Sequence, residues 1–251
     1  MVLLRFDARE HEVLVLHMQP AEVATPDMQS ELLARLSDDE RVRYARFRFD
    51  DDRHTYLVAH ALARSVLSHL AHVSVGDLRF VAGKHGRPEP SFPPAACEFR
   101  FNLSHTRGLV ACAFSRGVDV GVDVEKTDRT VELLLVGERV FSAHEMQALR
   151  ALSSVEQRHR FFDLWTLKEA YIKAIGMGLA APLRAITFHA ERPDPVPVVF
   201  GPEANDDGAR WRLRRFVPTT EHRLALCWQG HDANAVRCVK MSAVDLLELT
   251  A

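Results

Sequence analysis

Little in this chain is extreme, and each thing it lacks removes a class of protein. Its four cysteines among 251 residues, Cys97, Cys112, Cys227 and Cys238, form no Cys-x-x-Cys pair. Three of them lie in apolar segments, and no cleavable signal sequence precedes them. Reduced core thiols in a cytoplasmic protein are therefore expected, rather than a disulfide framework or a zinc site. No apolar run approaches the roughly 20 residues that span a bilayer. Even residues 131–136 are broken by Glu132 and followed by Glu138 and Arg139, so no membrane association is expected. A formal net charge of -2 argues against a dedicated nucleic-acid partner, while leaving room for a local basic patch. With 47 % hydrophobic, 26 % charged and 8 % aromatic residues, disorder, coiled coil and fibre are poor readings.

What is present is a mixed α+β pattern. Residues 2–17 alternate loosely and read as one or two strands, and residues 30–36 and 40–49 as two short helices split by the cap-like Ser37-Asp38-Asp39. Residues 56–73 place Leu57, Ala61, Leu62, Val66, Leu67 and Leu70 at three- and four-residue spacing, which predicts a buried-face helix. A short strand over 77–81, a glycine-bearing turn at 83–88 and strands over 99–103, 109–114 and 118–124 follow. The order then recurs: helix over 161–175, strand over 185–189, a proline-rich loop and strands over 211–216 and 223–227. Leu109 to Phe114 is echoed by Arg223 to Trp228. This predicts a degenerate duplication, a pseudo-twofold pair of similar α+β halves spanning 1–115 and 116–251, with a ligand cleft between them.

Four constellations carry candidate chemistry. In the segment 118–126 valines alternate with acids, and Asp123 and Glu125, two apart on a strand, face the same way. Like charges so placed need a cation or water; an oxygen-only donor set suits magnesium, whereas a plain wet strand face would need nothing. In the helix over 161–175, Glu169 and Lys173 stand at i and i+4, either as a surface salt bridge or as a third metal carboxylate and a phosphate-binding lysine opening on a cleft. Ser104-His105-Thr106 ends a strand and reads as a phosphate-binding corner or as a polar turn. Arg35, Arg41, Arg43, Arg46, Arg48 and Arg53, with Arg87 in the glycine turn, supply guanidinium forks, although the neighbouring acids Asp38 to Glu40 and Asp50 to Asp52 offset most of that charge.

Taken together and in order, these blocks resemble the 4′-phosphopantetheinyl transferases, specifically the surfactin-type class that activates carrier proteins of peptide and polyketide synthases. Gly86-Arg87-Pro88 resembles the family's Gly-Lys-Pro block. Phe101-Asn102-Leu103-Ser104-His105 resembles its Phe-Asn-(Ile/Leu)-Ser-His block, and Gly121-Val122-Asp123-Val124-Glu125 its Gly-(Ile/Val)-Asp-x-Glu block. Trp165 to Lys173 resembles the Trp-(Thr/Ser/Cys)-x-Lys-Glu-(Ala/Ser)-x-x-Lys block. Arg87 departs from the usual lysine, keeping the charge but changing reach and fork geometry.

The resemblance implies that Asp123, Glu125 and Glu169 hold Mg2+ against the pyrophosphate of the substrate coenzyme A, with Glu169, Lys173 and Asp123 as the catalytic set. It further implies that Lys173 meets the diphosphate and that Arg41, Arg43, Arg53, Arg87, Ser104 and His105 face the coenzyme, with His105 and the Arg41/Arg43 region at its 3′-phosphate. The partner is then an apo acyl or peptidyl carrier protein, whose serine is the nucleophile, and the enzyme is a monomer. The residues alone leave two rivals: a magnesium-dependent nucleotide phosphohydrolase, and a non-catalytic module that binds coenzyme A or a carrier.

Overall fold

The computed structural model describes residues 12–83, 86–128, 132–178, 181–204, 206–230 and 236–249. Most of the strand expected over 2–17, and Lys84 and His85 of the glycine-bearing turn, lie outside the described residues. The first strand, β1 (Val13–Met18), is buried throughout because its alternating residues serve two cores. Leu14, Leu16 and Met18 point into one, Val13 and Val15 into another. Two short helices, α1 (Pro26–Ala34) and α2 (Asp38–Ala45), lead to the 22-residue α3 (Asp50–Ala71). A small hairpin of β2 (Arg79–Ala82) and β3 (Pro88–Phe92) follows, then α4 (Pro94–Cys97) and the hairpin β4 (Phe99–Thr106) and β5 (Leu109–Arg116).

The order then repeats. Strand β6 (Val120–Lys126) is followed by the short α5 (Leu133–Val140) and α6 (Ala143–Arg150) and the 22-residue α7 (Ser154–Ile175). The small hairpin β7 (Ile186–Phe188) with β8 (Val198–Phe200) and the long hairpin β9 (Trp211–Thr219) with β10 (His222–Gln229) complete it. Both sheets place the last strand of the repeat centrally, β1-β5-β4 in one and β6-β10-β9 in the other. Helix α3 covers the outer face of the first sheet and α7 that of the second. The inner faces meet through Val13, Val15, Ala111 and Ala113 on one side and Val122, Val124, Leu224 and Leu226 on the other. The layers run helix, sheet, sheet, helix, and the expected pair of α+β halves is present.

A buried device is duplicated with the fold. Ser37 and Glu40 form a capping box at α2, and Ser142 and Glu145 form one at α6. Glu40 also pairs with Arg64 at 3.3 Å, and Glu145 with Lys168 at 2.9 Å. Both cations stand fourteen residues past the start of their long helix and both tie down carbonyls of the following loop: Val75 and Leu78 for Arg64, Leu183 and Ile186 for Lys168. Burial pushes the Lys168 ammonium's pKa down, and Glu145 opposes that shift. The symmetry ends with the C-terminal segment. Strand β11 (Val236–Lys240) joins β1 in parallel, and α8 (Ala243–Glu248) packs Leu246 into the first core while Arg35 donates to the Leu246 and Leu247 carbonyls. The final strand and helix therefore lie with the first sheet although they follow the second half in sequence.

Helix α7 starts at Ser154, ahead of the apolar stripe, because Ser153 and Glu156 close a capping box there. It ends at Gly176, which adopts the left-handed conformation at φ 62°. Between these ends the helix touches β6 backbone to backbone. A Cβ built on Gly121 would stand 2.1 Å from the Ala170 carbonyl oxygen and 2.4 Å from the Ala174 nitrogen. Only glycine on the strand and alanines on the helix allow this approach. Gly121→Ala is expected to lower the thermal midpoint by roughly 5 to 10 °C, since overpacking against immobile backbone costs on the order of 3 kcal/mol. Gly76→Ala, where the nearest atom is Ser74 Oγ at 3.7 Å, serves as the control and should melt close to the unsubstituted protein. Equal melting of the two variants would remove the packing argument.

Candidate active site

The seam between the halves runs from β4 to β6. Residues Phe101 and Leu103 of β4 pack toward α3, so Asn102, Ser104 and Thr106 point the other way. Strand β6 pairs with β10 on one edge only, and the side chains from β4 satisfy its other edge. Val122 N donates to Asn102 Oδ1 at 3.0 Å, Val124 N to Ser104 Oγ at 3.3 Å and Lys126 N to Thr106 Oγ1 at 3.4 Å. This ladder holds β6 so that Asp123 and Glu125 come against α7, while Val120, Val122 and Val124 turn into the core between the sheets.

Asp123 is the centre of the arrangement and is only 5 % exposed. Its Oδ1 accepts from Ser104 Oγ at 2.9 Å and from Lys173 Nζ at 2.8 Å, and Lys173 also donates to Ser104 Oγ at 2.8 Å. Lys173 thus pairs with the strand rather than serving as the i,i+4 partner of Glu169. Oδ2 of Asp123 is, among the described residues, the buried side-chain oxygen with no hydrogen-bond partner. Such an atom costs stability unless something meets it, and a bound cation is one such partner. Glu125 accepts from Thr106 Oγ1 at 3.4 Å. Burial, chiefly, then the neighbouring Asp123 and Glu125, raise the Glu169 pKa above the ordinary carboxylate value, and Lys173 only partly offsets them.

Three carboxylates, one with an unmet buried oxygen, fit the oxygen preference of Mg2+. They do not lie in ligating contact with one another. Among the described residues, the three groups whose ligand atoms all lie within 4.8 Å are His144, His189 and Glu191.

The remaining candidates are distributed around this centre. His105, on the α3 side of β4, lines a cleft of about 770 Å³ with Phe47, Phe49, Asp52, Thr106 and Glu125. Although it keeps open surface, protein walls surround it, and this desolvation, reinforced by Lys173, lowers its pKa. Ser104 and His105 therefore do not form one corner, since successive strand residues face opposite sides; Ser104 turns to Asp123 and Lys173. Arg43 stacks over Tyr56 and contributes to the field at His105. Arg87 joins the halves, donating to the Ala174 carbonyl at 3.1 Å and pairing with Asp119 at 3.2 Å. Arg41 and Arg53 are not brought to the cleft. Arg41 caps α1 through the Leu33 and Ala34 carbonyls, and Arg53 pairs with Asp50 beside a separate depression near His54.

The sequence showed Asn102, Thr106 and Lys168 but not their supporting roles, the first two in the ladder and the third buried beneath the helix. A fourth support is the pair Arg223–Asp163, at 3.3 Å, which lies beside Glu125 because Arg223 is its cross-strand neighbour. The period-two polar residues at 102, 104 and 106 were the available signal for the ladder.

Comparisons with known proteins agree over most of the chain. A family profile described as "4'-phosphopantetheinyl transferase superfamily" matches residues 119–227, and one described as "4'-phosphopantetheinyl transferase, N-terminal" matches residues 24–116. The chain is 31 % identical over 203 residues to the 4'-phosphopantetheinyl transferase HetI of Nostoc sp., covering 80 % of this chain and 82 % of that one. It is 31 % identical over 193 residues to the 4'-phosphopantetheinyl transferase Sfp of Bacillus subtilis, covering 76 % and 81 %. To a phosphopantetheinyl transferase of Thraustochytrium sp. it is 28 % identical over 218 residues, covering 82 % and 74 %.

The raised Glu169 pKa has a stability consequence with a definite sign. A carboxyl whose folded pKa lies above its unfolded value binds more protons when folded, so stability falls as pH rises from the ordinary carboxylate value through the raised one. In the presence of chelator, Glu169→Gln is expected to melt above the unsubstituted protein at pH 7, with the gain vanishing near pH 4, where both states carry a protonated Glu169. Calorimetry at the two pH values checks this; a glutamine variant that melts lower at pH 7 contradicts it.

Proposed function

The chain belongs to the 4′-phosphopantetheinyl transferase superfamily, and from that premise we propose that it moves 4′-phosphopantetheine from coenzyme A to a serine of an apo acyl or peptidyl carrier protein, releasing adenosine 3′,5′-bisphosphate. Membership makes it a transferase that acts on carrier proteins. The donor, the leaving group and the roles of individual residues are the proposal. The observation that carries it is the ion pair of Lys173 with Asp123 at the seam, within electrostatic reach of Glu169, with one oxygen of Asp123 buried and unmet.

In this reading Asp123, Glu125 and Glu169 hold Mg2+, whose charge, when bound, stabilises the diphosphate oxygens. Lys173 spends two of its three N–H donors on Asp123 and Ser104, which aim the ammonium and leave one donor for a phosphate oxygen. Ser104 acts as a positioning residue, fixing Asp123 and Lys173 together. Glu169 is placed to accept the proton of the carrier serine, directly or through a water ordered beside the metal. The serine oxygen forms a bond to the phosphorus bearing pantetheine as the bond to the bridging oxygen breaks, and Lys173 balances the charge that develops on the leaving group. His105, with Arg43 nearby, faces the coenzyme's 3′-phosphate, and Arg87 supports the nucleotide side. Arg41 and Arg53 would need a rearranged α2–α3 connection to join them.

We further propose a division between the halves at residues 115 and 116, at the last residue of β5; the repeat of element order supports a boundary close by, between β5 and β6. A monomeric, cytoplasmic enzyme is the accompanying proposal. The four cysteines are free thiols, and among the described residues no helix is long and apolar enough to cross a membrane.

Incubating the protein with coenzyme A, Mg2+ and an apo carrier should add the mass of phosphopantetheine to the carrier; release of nucleotide without a carrier product would favour hydrolysis instead. Asp123→Asn should lower labelling by about a hundredfold or more, on the scale of a lost transition-state electrostatic contact. Lys173→Ala should reduce single-turnover rate more than it weakens coenzyme binding, since its interaction grows with developing charge. His105→Ala should narrow the preference for coenzyme A over its 3′-dephospho form by roughly tenfold, the size of a charge-assisted hydrogen bond. Unchanged labelling by Asp123→Asn would remove the site assignment, and equal affinity of the parent protein for the two coenzymes would remove that of His105.

A further inference from the structure

On the second half, away from the seam, the structure assigns a binding site for a zinc-class divalent transition-metal ion to His144, His189 and Glu191. One ligand atom from each lies within 4.8 Å of the other two. His189 Nδ1 is 2.8 Å from Glu191 Oε1 and His144 Nε2 is 3.7 Å from the same oxygen, while the two imidazoles meet edge to face with centroids 4.9 Å apart. Ligand atoms around a tetrahedral zinc ion stand roughly 3.3 Å apart, given metal–ligand bonds near 2.0 to 2.2 Å, so these separations bracket what the ion requires. Two imidazoles and a carboxylate form the donor set of an open zinc site, with a fourth position left to water.

The placement is built by buried groups. Glu145, 2 % exposed, accepts from Ser142 N at 2.6 Å and from Phe188 N at 2.7 Å, and Lys168 neutralises it. His144 and His189 are the chain neighbours of Glu145 and Phe188, so the same clamp that joins the start of α6 to the end of β7 sets the distance between the two histidines. The fold itself does not demand them. In the duplicated clamp of the first half, the residue preceding Glu40 is Asp39. Nor does the carboxylate centre at the seam compete for the same ion, because its oxygen donors prefer Mg2+ whereas imidazole prefers zinc and its neighbours in the transition series. In the free protein His189 Nδ1 hydrogen-bonds Glu191, and an ion bound at Nδ1 takes the tautomer that carries the ring proton on Nε2.

The test is titration of the full chain with Co2+ in the presence of excess Mg2+, read by visible absorption and by equilibrium dialysis. One Co2+ per chain with ligand-field bands in the visible is expected in a tightest class. His144→Ala, at an exposed helix position, should fold normally, keep carrier labelling and weaken this class at least about tenfold. Glu191→Gln, which keeps the size of the side chain and a hydrogen bond to His189, should do the same. Identical Co2+ affinity in the parent protein and both variants, or absence of a stoichiometric class in the parent protein, overturns the assignment whatever the outcome of the transfer assay.

Discussion

The arrangement depends on the contact between the backbone of β6 at Gly121 and helix α7 at Ala170 and Ala174. Glu169 and Lys173 are each the residue before one of those alanines, and Asp123 lies two residues along the strand from the glycine. Bringing the two backbones to touching distance therefore brings the charged side chains together as a by-product. A methyl group on the strand would separate helix and strand, and Lys173 at 2.8 Å from Asp123 would lose its partner. The site is thus set by three small residues, Gly121, Ala170 and Ala174, that carry no chemistry themselves.

The second dependence is on the edge of a sheet. An unpaired strand edge is a liability in most proteins, because its amides need partners and invite another chain. Here the edge of β6 is met by side chains from the opposite half, and the serine that satisfies Val124 N also binds Asp123 and Lys173. Closure of the seam and orientation of the charged centre are one set of hydrogen bonds. That is a physical reason for a site that needs both halves, although its carboxylates all belong to the second.

Duplication explains what the two halves share and also where they part. Each pairs one acid with one buried base, the partly buried Glu40 with Arg64 and the buried Glu145 with Lys168, to lock a short helix onto a long one. Breaking either pair by removing one partner leaves a buried charge, which typically costs about 3 to 5 kcal/mol. Beyond this common frame the halves diverge: the first presents the β4 ladder and His105, the second the carboxylates and the histidine pair beside Glu145.

The α+β class, the repeat of elements and the residues of the charged centre were legible in the sequence, because periodicity in 56–73, alternating valines in 118–124 and the spacing of Glu169 and Lys173 are local properties of the chain. Helix starts were less so: α3 begins at Asp50 with a first turn of acids behind an uncapped Phe49, and α7 at Ser154 behind the Ser153 capping box, so in neither case do apolar residues mark the start. The short α5, α6 and β11 escaped it, although α5 and α6 are amphipathic, because eight residues or fewer give too little periodicity to read. Local spacing also could not choose a partner for Lys173, four residues from Glu169 in sequence but bonded to Asp123 fifty residues away. Nor could it divide the arginines into those that cap helices, as Arg35 and Arg41 do, and those near the cleft. Those choices belong to tertiary structure, since a charge takes the partner that folding leaves beside it in a dry place, and sequence distance does not enter that competition.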